Sequence, residues 1–237
     1  MKSRSFLFTS IFLLFGIALC FVACSKNENF IAGDAKVRYF QSAVTDTTQN
    51  FYLNGIQSGA STVYGSNSNY IVVAGDSTYK ITSRNINTTN AVATTDQKFE
   101  IGAHYSVFYT RKTPTDPPSL LVYRDDVKQD LDSAKLTFLN LGYTLGNNTV
   151  QVRDAGNAFA PFTLAYGNKV TYKVKVTKAT KIFFDLTNPI ATQKAIDSLD
   201  SAGTTTKKIA ISKGKVYTVL LDGNKASELQ MRLVQAN

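Results

Sequence analysis

The sequence contains no tryptophan, one histidine (His104) and two cysteines. With one imidazole and no pair of structural thiols, a zinc cluster, a Ser-His or Cys-His constellation and a disulfide-dense scaffold are not expected. Charged residues make up only 18% of the chain and there are 5 prolines, against 43% hydrophobic residues. That balance excludes disordered, collagen-like and low-complexity classes and leaves enough apolar material for a core. Neither GxxxxGK[ST] nor a strand-borne GxGxxG occurs, so no phosphate-cradling loop and no cofactor are expected. At about 150 residues per domain, 237 residues correspond to one or two domains.

The N-terminus is the most specific segment. Lys2 and Arg4 are followed by an uncharged run from Ser5 to Ser25, with the apolar stretches Phe6-Leu7-Phe8 and Ile11–Leu19 inside it. This is the layout of a secretory signal, although an uncharged run of that length also suffices for a membrane helix. Phe21-Val22-Ala23-Cys24 resembles the lipobox of bacterial lipoproteins, with Phe where an aliphatic residue is usual. The resemblance implies cleavage before Cys24 and its diacylation. Residues 1–23 are then a signal peptide and residues 24–34 a lipidated tether. Cys20 is the competing position, but Leu19 before it fits cleavage poorly. Acyl chains contribute about 0.8 kcal/mol per buried methylene, so two or three hold a protein firmly at a membrane. Ser25 after the cysteine resembles an outer-membrane destination. Ser25-Lys26-Asn27-Glu28 is similar to the surface-export signal of Bacteroidetes lipoproteins, with Asn27 interrupting the acidic pair. The expected location is the outer membrane, facing the periplasm or the cell surface.

The remainder is written twice. Ala35-Lys36-Val37-Arg38-Tyr39-Phe40 aligns with Ala134-Lys135-Leu136-Thr137-Phe138-Leu139, Tyr64-Gly65 with Tyr166-Gly167, and Gly102–Phe108 with Gly214–Leu220. The landmarks keep their order and their offset grows slowly, which points to two copies, residues 35–133 and 134–237. Each copy alternates polar and apolar residues, as in Tyr105-Ser106-Val107-Phe108-Tyr109 and Tyr172-Lys173-Val174-Lys175-Val176. Period-2 alternation rich in Val, Tyr, Phe and Thr marks half-buried strands, and the Gly/Asn/Asp clusters between them mark turns. The fold class is all-β: two tandem immunoglobulin-like antiparallel β-sandwiches after a lipoprotein signal peptide. One stretch departs from the alternation. Ala195, Ile196 and Leu199 have near-helical spacing, which predicts a short helix or an ordered insertion over residues 191–202. Residues 125–133 read as the linker. Gly102/Tyr105 and Gly214/Tyr217 repeat a Gly-x-x-Tyr pattern that looks like a tyrosine corner, in which a tyrosine hydroxyl bonds backbone across a loop. The alternative is a pair of plain core tyrosines.

The opening Ala-Lys-[Val/Leu]-x-[Tyr/Phe] strand, Phe51-Tyr52-Leu53-Asn54-Gly55, the Gly-x-x-Tyr strand and Leu120-Leu121-Val122-Tyr123-Arg124-Asp125-Asp126 together resemble the DUF4397 family of bacterial extracytoplasmic proteins. The second copy is weaker, with Val150–Gly156 in place of the Asn-Gly hairpin. The resemblance implies a sandwich domain on an exported, surface-anchored protein and carries no catalytic residues with it.

Single residues offer little chemistry. His104 corresponds to Val216 in the second copy, which favours a structural role. Asp125, Asp126, Asp130 and Asp132 lack the calcium-loop pattern and surround Lys128. Asp46-Thr47-Thr48, Asp76-Ser77-Thr78, Asp132-Ser133-Ala134, Asp197-Ser198-Leu199 and Asp200-Ser201-Ala202 resemble the O-glycosylation sequon of Bacteroidetes. The net charge of +9 is unevenly spread: the first copy is neutral and the second carries most of the excess. Lys169, Lys173, Lys175, Lys178 and Lys181 form the candidate anionic-ligand patch. The alternative is a solubilising face whose edge lysines block aggregation. Lys173 and Lys175 share one strand face and Tyr172 the other, so bases have no aromatic among the lysines to stack on, and no nucleic-acid partner is expected. The expected function is a non-enzymatic envelope module that binds polysaccharide or another envelope protein, or serves a structural role. The alternative is a surface glycan-binding accessory lipoprotein of a polysaccharide-uptake system, with Tyr64, Tyr70, Tyr143 and Phe159 as its aromatic platform.

Overall fold

Asn54-Gly55 and Gly75-Asp76 show how local chemistry starts the fold. Asn54 and Gly55 both have positive φ (49° and 84°), the requirement of a two-residue hairpin turn whose twist matches its strands. The computed structural model describes residues 33–142, 149–177, 181–186, 195–200, 211–225 and 228–236. Residues 1–23, Cys24, Tyr143 and Lys178 therefore lie outside the described residues. The described residues form strands and no helix. The first half contains β1 (Asp34–Gln41), β2 (Gln49–Leu53), β3 (Ile56–Gln57), β4 (Ile71–Ala74), β5 (Ser77–Asn85), β6 (Ala91–Phe99), β7 (His104–Thr110) and β8 (Ser119–Asp125). The second contains β9 (Ala134–Asn140), β10 (Val150–Asp154), β11 (Phe162–Leu164), β12 (Lys169–Val174), β13 (Lys181–Leu186), β14 (Ala195–Asp200), β15 (Val216–Lys225) and β16 (Glu228–Gln235).

These strands build four four-stranded sheets. The first half has an inner sheet in the order β4-β1-β7-β8 and an outer sheet in the order β3-β2-β5-β6. The second half repeats both orders strand for strand, as β12-β9-β15-β16 and β11-β10-β13-β14. All pairs are antiparallel except β1–β7 and β9–β15. Parallel neighbours need a long crossover, and in each half the whole opposite sheet supplies it.

Three cores hold the layers together. Val37, Tyr39, Val107 and Tyr109 of the first inner sheet meet Phe51, Ile81 and Phe99 of the first outer sheet. Leu136, Phe138, Val219 and Leu221 meet Val150, Ile182 and Phe184 in the second half. The third core lies between the halves: Phe40, Phe108, Leu139, Leu141 and Leu220 are buried together, with Tyr123 and Tyr166 packed against them. Phe40 and Phe108 stack at 4.3 Å between ring centroids. The layers therefore run outer, inner, inner, outer, and residues 32–237 form one compact unit.

This explains why β7 is buried along its whole length. Its odd-numbered residues face the first outer sheet. His104, Ser106 and Phe108 face the second half, where alternation alone predicts solvent.

The helix expected over residues 191–202 is not formed at residues 195–200. That segment is the strand β14, paired with β13 in the register Ile182↔Leu199 with a bulge at Phe184/Asp185. A segment this short is a marginal helix in isolation, whereas an open sheet edge offers a full row of backbone partners.

Candidate binding surfaces

Gly102 (φ 73°) and Gly214 (φ 78°) turn the chain into β7 and β15 in the left-handed region that glycine tolerates. Just beyond each, a tyrosine hydroxyl accepts a hydrogen bond from backbone five residues upstream. Tyr105 accepts from the Glu100 N–H at 3.1 Å and Tyr217 from the Ser212 N–H at 3.1 Å. The Gly-x-x-Tyr repeat is thus a corner device in both halves.

The seam between the halves is polar at both ends. At one end Arg38 is 2% exposed. It donates from Nε to Ser106 Oγ at 2.9 Å and from Nη1 to the Gln235 carbonyl at 3.2 Å. Its guanidinium stacks over Tyr70 at 4.7 Å. Tyr70 and Ser106 both donate to Asp125 Oδ2, each at 2.6 Å. Burial and the adjacent Asp125 charge push the Tyr70 hydroxyl well above its ordinary pKa. His104, 6% exposed, sits edge-on to the Tyr70 ring at 5.0 Å. The sole imidazole thus packs inside this cluster. At the other end Tyr64 donates to Asp222 at 3.3 Å, and Arg232 pairs with the same carboxylate. Beside the first of these ends lies a small cleft of about 40 Å³, lined by Phe108, Tyr123, Asp125, Lys169, Thr218 and Ala236 among others. That is room for about two or three waters.

The candidate lysines are dispersed. Lys169, Lys173 and Lys175 lie exposed on or just after the edge strand β12, as the alternation predicts. Lys169 Nζ donates to the Arg124 carbonyl at 2.7 Å, and Lys173 Nζ pairs with Asp130 at 2.9 Å. Lys181 is on a different sheet, with its ammonium 5.4 Å from the Phe183 ring centre. Lys178 lies outside the described residues.

The aromatics named for a platform face inward. Phe159 belongs to the second-half core, Tyr64 reaches Asp222, and Tyr70 belongs to the Arg38 cluster. Tyr143 is outside the described residues. Three of the linker-region carboxylates diverge: Asp125 enters the seam, Asp126 pairs with Lys135 at 2.8 Å, and Asp130 pairs with Lys173. Among the described residues no three metal-ligating side chains cluster. Of the sequon hydroxyls, Thr47 is exposed, Ser77 half-buried and Ser133 buried.

One surface was not singled out in the sequence. On the outward face of the first outer sheet, Tyr52 of β2 stands beside Thr82 of β5, which in turn stands beside Thr94 of β6. In the next row Asn50 pairs with Arg84. The Arg84 guanidinium lies 4.0 Å from the Tyr52 ring centre. The alternation Phe51-Tyr52-Leu53 already points Tyr52 away from the core. The arginine above it comes from a strand thirty residues on and cannot be read locally.

Residues 35–152 match the domain of unknown function DUF4397, so a DUF4397 domain runs through the first half and on into β10. No curated protein matches the chain significantly. The crystal structure of a family 26 carbohydrate-binding module from Eubacterium rectale Amy13K, in complex with maltoheptaose, aligns over 86% of this chain and 97% of that one. Its identity is 11% and its TM-score 0.26, a level that carries no argument about fold or ligand.

Proposed function

We propose that the protein is a non-enzymatic, lipid-anchored cell-envelope protein acting as a binding or structural module, built from two copies of one domain at residues 35–133 and 134–237. The observation that carries this reading is the layered stack. Two halves of identical strand order bury their inner sheets against each other and leave their outer sheets facing away from the seam. Such a body suits a rigid spacer that presents two sheet faces. The disposition of polar groups supports the same reading. Asp46, Asp125, Asp185 and Asp222 are each engaged by an arginine, and the buried Asp154 accepts from the Ala158 and Lys181 N–H groups. His104 packs inside the seam cluster.

In this reading Cys24 carries the lipid and residues 24–34 lead from the membrane to β1. Detergent-phase partitioning of cell fractions tests the anchor. The wild-type chain is expected with the membranes, and Cys24→Ala is expected in the soluble fraction. Full membrane retention of Cys24→Ala would refute the anchor. The glycan-binding reading keeps one specific observation in its favour, the outward row of Tyr52, Thr82 and Thr94 beside Arg84 and Asn50.

A further inference from the structure

Six arginines lie among the described residues, and five of them meet a carboxylate. Arg38 meets Asp125, Arg111 meets Asp46, Arg124 meets Glu100, Arg153 meets Asp185 and Arg232 meets Asp222. Arg84 is the exception. It pairs with no carboxylate among the described residues; its guanidinium lies over the Tyr52 ring at 4.0 Å, and its Nε is buried without a hydrogen-bond partner. On the same face Lys80 stands opposite Asp96 in the strand register, and Lys98 pairs with Asp76 at 2.6 Å.

A guanidinium held over an aromatic ring has already given up part of its rotamer freedom. Its planar fork suits a carboxylate in two-point geometry, and less rotamer freedom remains to be lost on binding. The neighbours are uncharged hydrogen-bonding groups. Thr82 and Thr94 hydroxyls are 3.5 Å apart, and Ser61 donates to Asn50 at 2.5 Å. Amides and hydroxyls on a sheet face match sugar hydroxyls, whereas an acidic peptide would call for apolar pockets or a free strand edge.

We propose that this outward face, centred on Arg84 stacked over Tyr52, binds an acidic polysaccharide through its carboxylates. The inference rests on the binding-module reading and gives it a ligand class. The lysines of β12 take no part in it, because Lys169 and Lys173 already have partners.

The test is calorimetric titration of the full chain in detergent with oligogalacturonate, with a neutral maltooligosaccharide and with poly-glutamate. Oligogalacturonate is expected to bind and the neutral glucan not to bind. Arg84→Ala is expected to weaken binding by about tenfold to a hundredfold, the usual worth of a charge-assisted contact. Arg84→Lys keeps the charge without the fork and is expected to recover only part of that loss. Thermal midpoints of both variants report their folding, and Arg84→Lys serves alone if Arg84→Ala does not fold. The proposal fails if oligogalacturonate does not bind, or if Arg84→Lys binds as tightly as wild type. It also fails if poly-glutamate binds at least as well, or if Lys173→Ala/Lys175→Ala abolishes binding while Arg84→Ala does not. Membrane partitioning of Cys24→Ala does not depend on any of these outcomes, so the anchor stands or falls separately.

Discussion

A backbone N–H at the mouth of a turn has no strand partner, and here a side chain supplies one in the same way in both halves. The Glu100 and Ser212 amides each point at a tyrosine oxygen 3.1 Å away. Tyr105→Phe and Tyr217→Phe remove only that oxygen, since both rings stay buried among the same neighbours. Each substitution is expected to cost about 0.5–1.5 kcal/mol, measured by urea unfolding. If the two tyrosines were plain core residues, neither change would move the midpoint. This device was legible because the halves can be compared: a Gly-x-x-Tyr found once is an accident, and found twice at matching places it marks a geometry. Other residue-scale constraints were not legible. A Cβ added at Gly75 would lie 2.6 Å from the Gly33 carbonyl oxygen and 2.9 Å from the Ile101 Cα. Both are brought there by long-range pairing that no local pattern encodes.

At the scale of elements, edge strands separate the halves most clearly. β12 carries Lys169 and Lys173 outward, while its counterpart β4 is the uncharged Ile71–Ala74, with Val72 57% exposed. Lysine on an edge discourages strand addition by other chains, so β12 is guarded where β4 is not. Lys173 has a second task, holding the linker through Asp130. Its hydrogen bond lowers the Asp130 carboxyl from the ordinary 3.8 to about 2, with the Asp132 N–H adding to the shift. A carboxylate with a depressed folded pKa stabilises the fold above its unfolded value. That contribution is lost as the pH falls through the folded value, here in the window between 3.8 and about 2. Lys173→Ala is expected to raise the Asp130 midpoint toward 3.8 without reaching it, because the Asp132 N–H remains; carboxyl-carbon NMR titration reads this directly. An unchanged midpoint would mean that the ion pair does not hold the linker in solution. The alternation of β12 was legible in the sequence, whereas β14 was not. Its Ala, Ile and Leu spacing fits a helical period, and only the open edge of β13 decides for a strand.

At the scale of the molecule, the all-β sandwich architecture could be read from the sequence, but the stacking of the halves could not. The reason lies in what fills the seam. Arg38 and Lys135, with His104 and Ser106, occupy the polar phase of the alternation and read as solvent-facing, yet all four are buried. They are tolerated there because each finds partners, as when Arg38 reaches Ser106 and Gln235 and Lys135 reaches Asp126. Phe40, Phe108 and Leu220 share that polar phase, and large apolar residues on the polar side of an alternating strand signal a second covered face. A shared core makes the halves one thermodynamic unit. Differential scanning calorimetry is therefore expected to show one transition for the whole chain, with equal calorimetric and van't Hoff enthalpies. Phe40 is fully buried and contributes to no core other than the seam. Phe40→Ala should therefore cost about 3–5 kcal/mol through the cavity it leaves, and lower the midpoint by roughly 10 °C. If the halves were instead independent beads on a linker, the wild type would melt in two steps. Phe40→Ala would then shift only the step belonging to the first half.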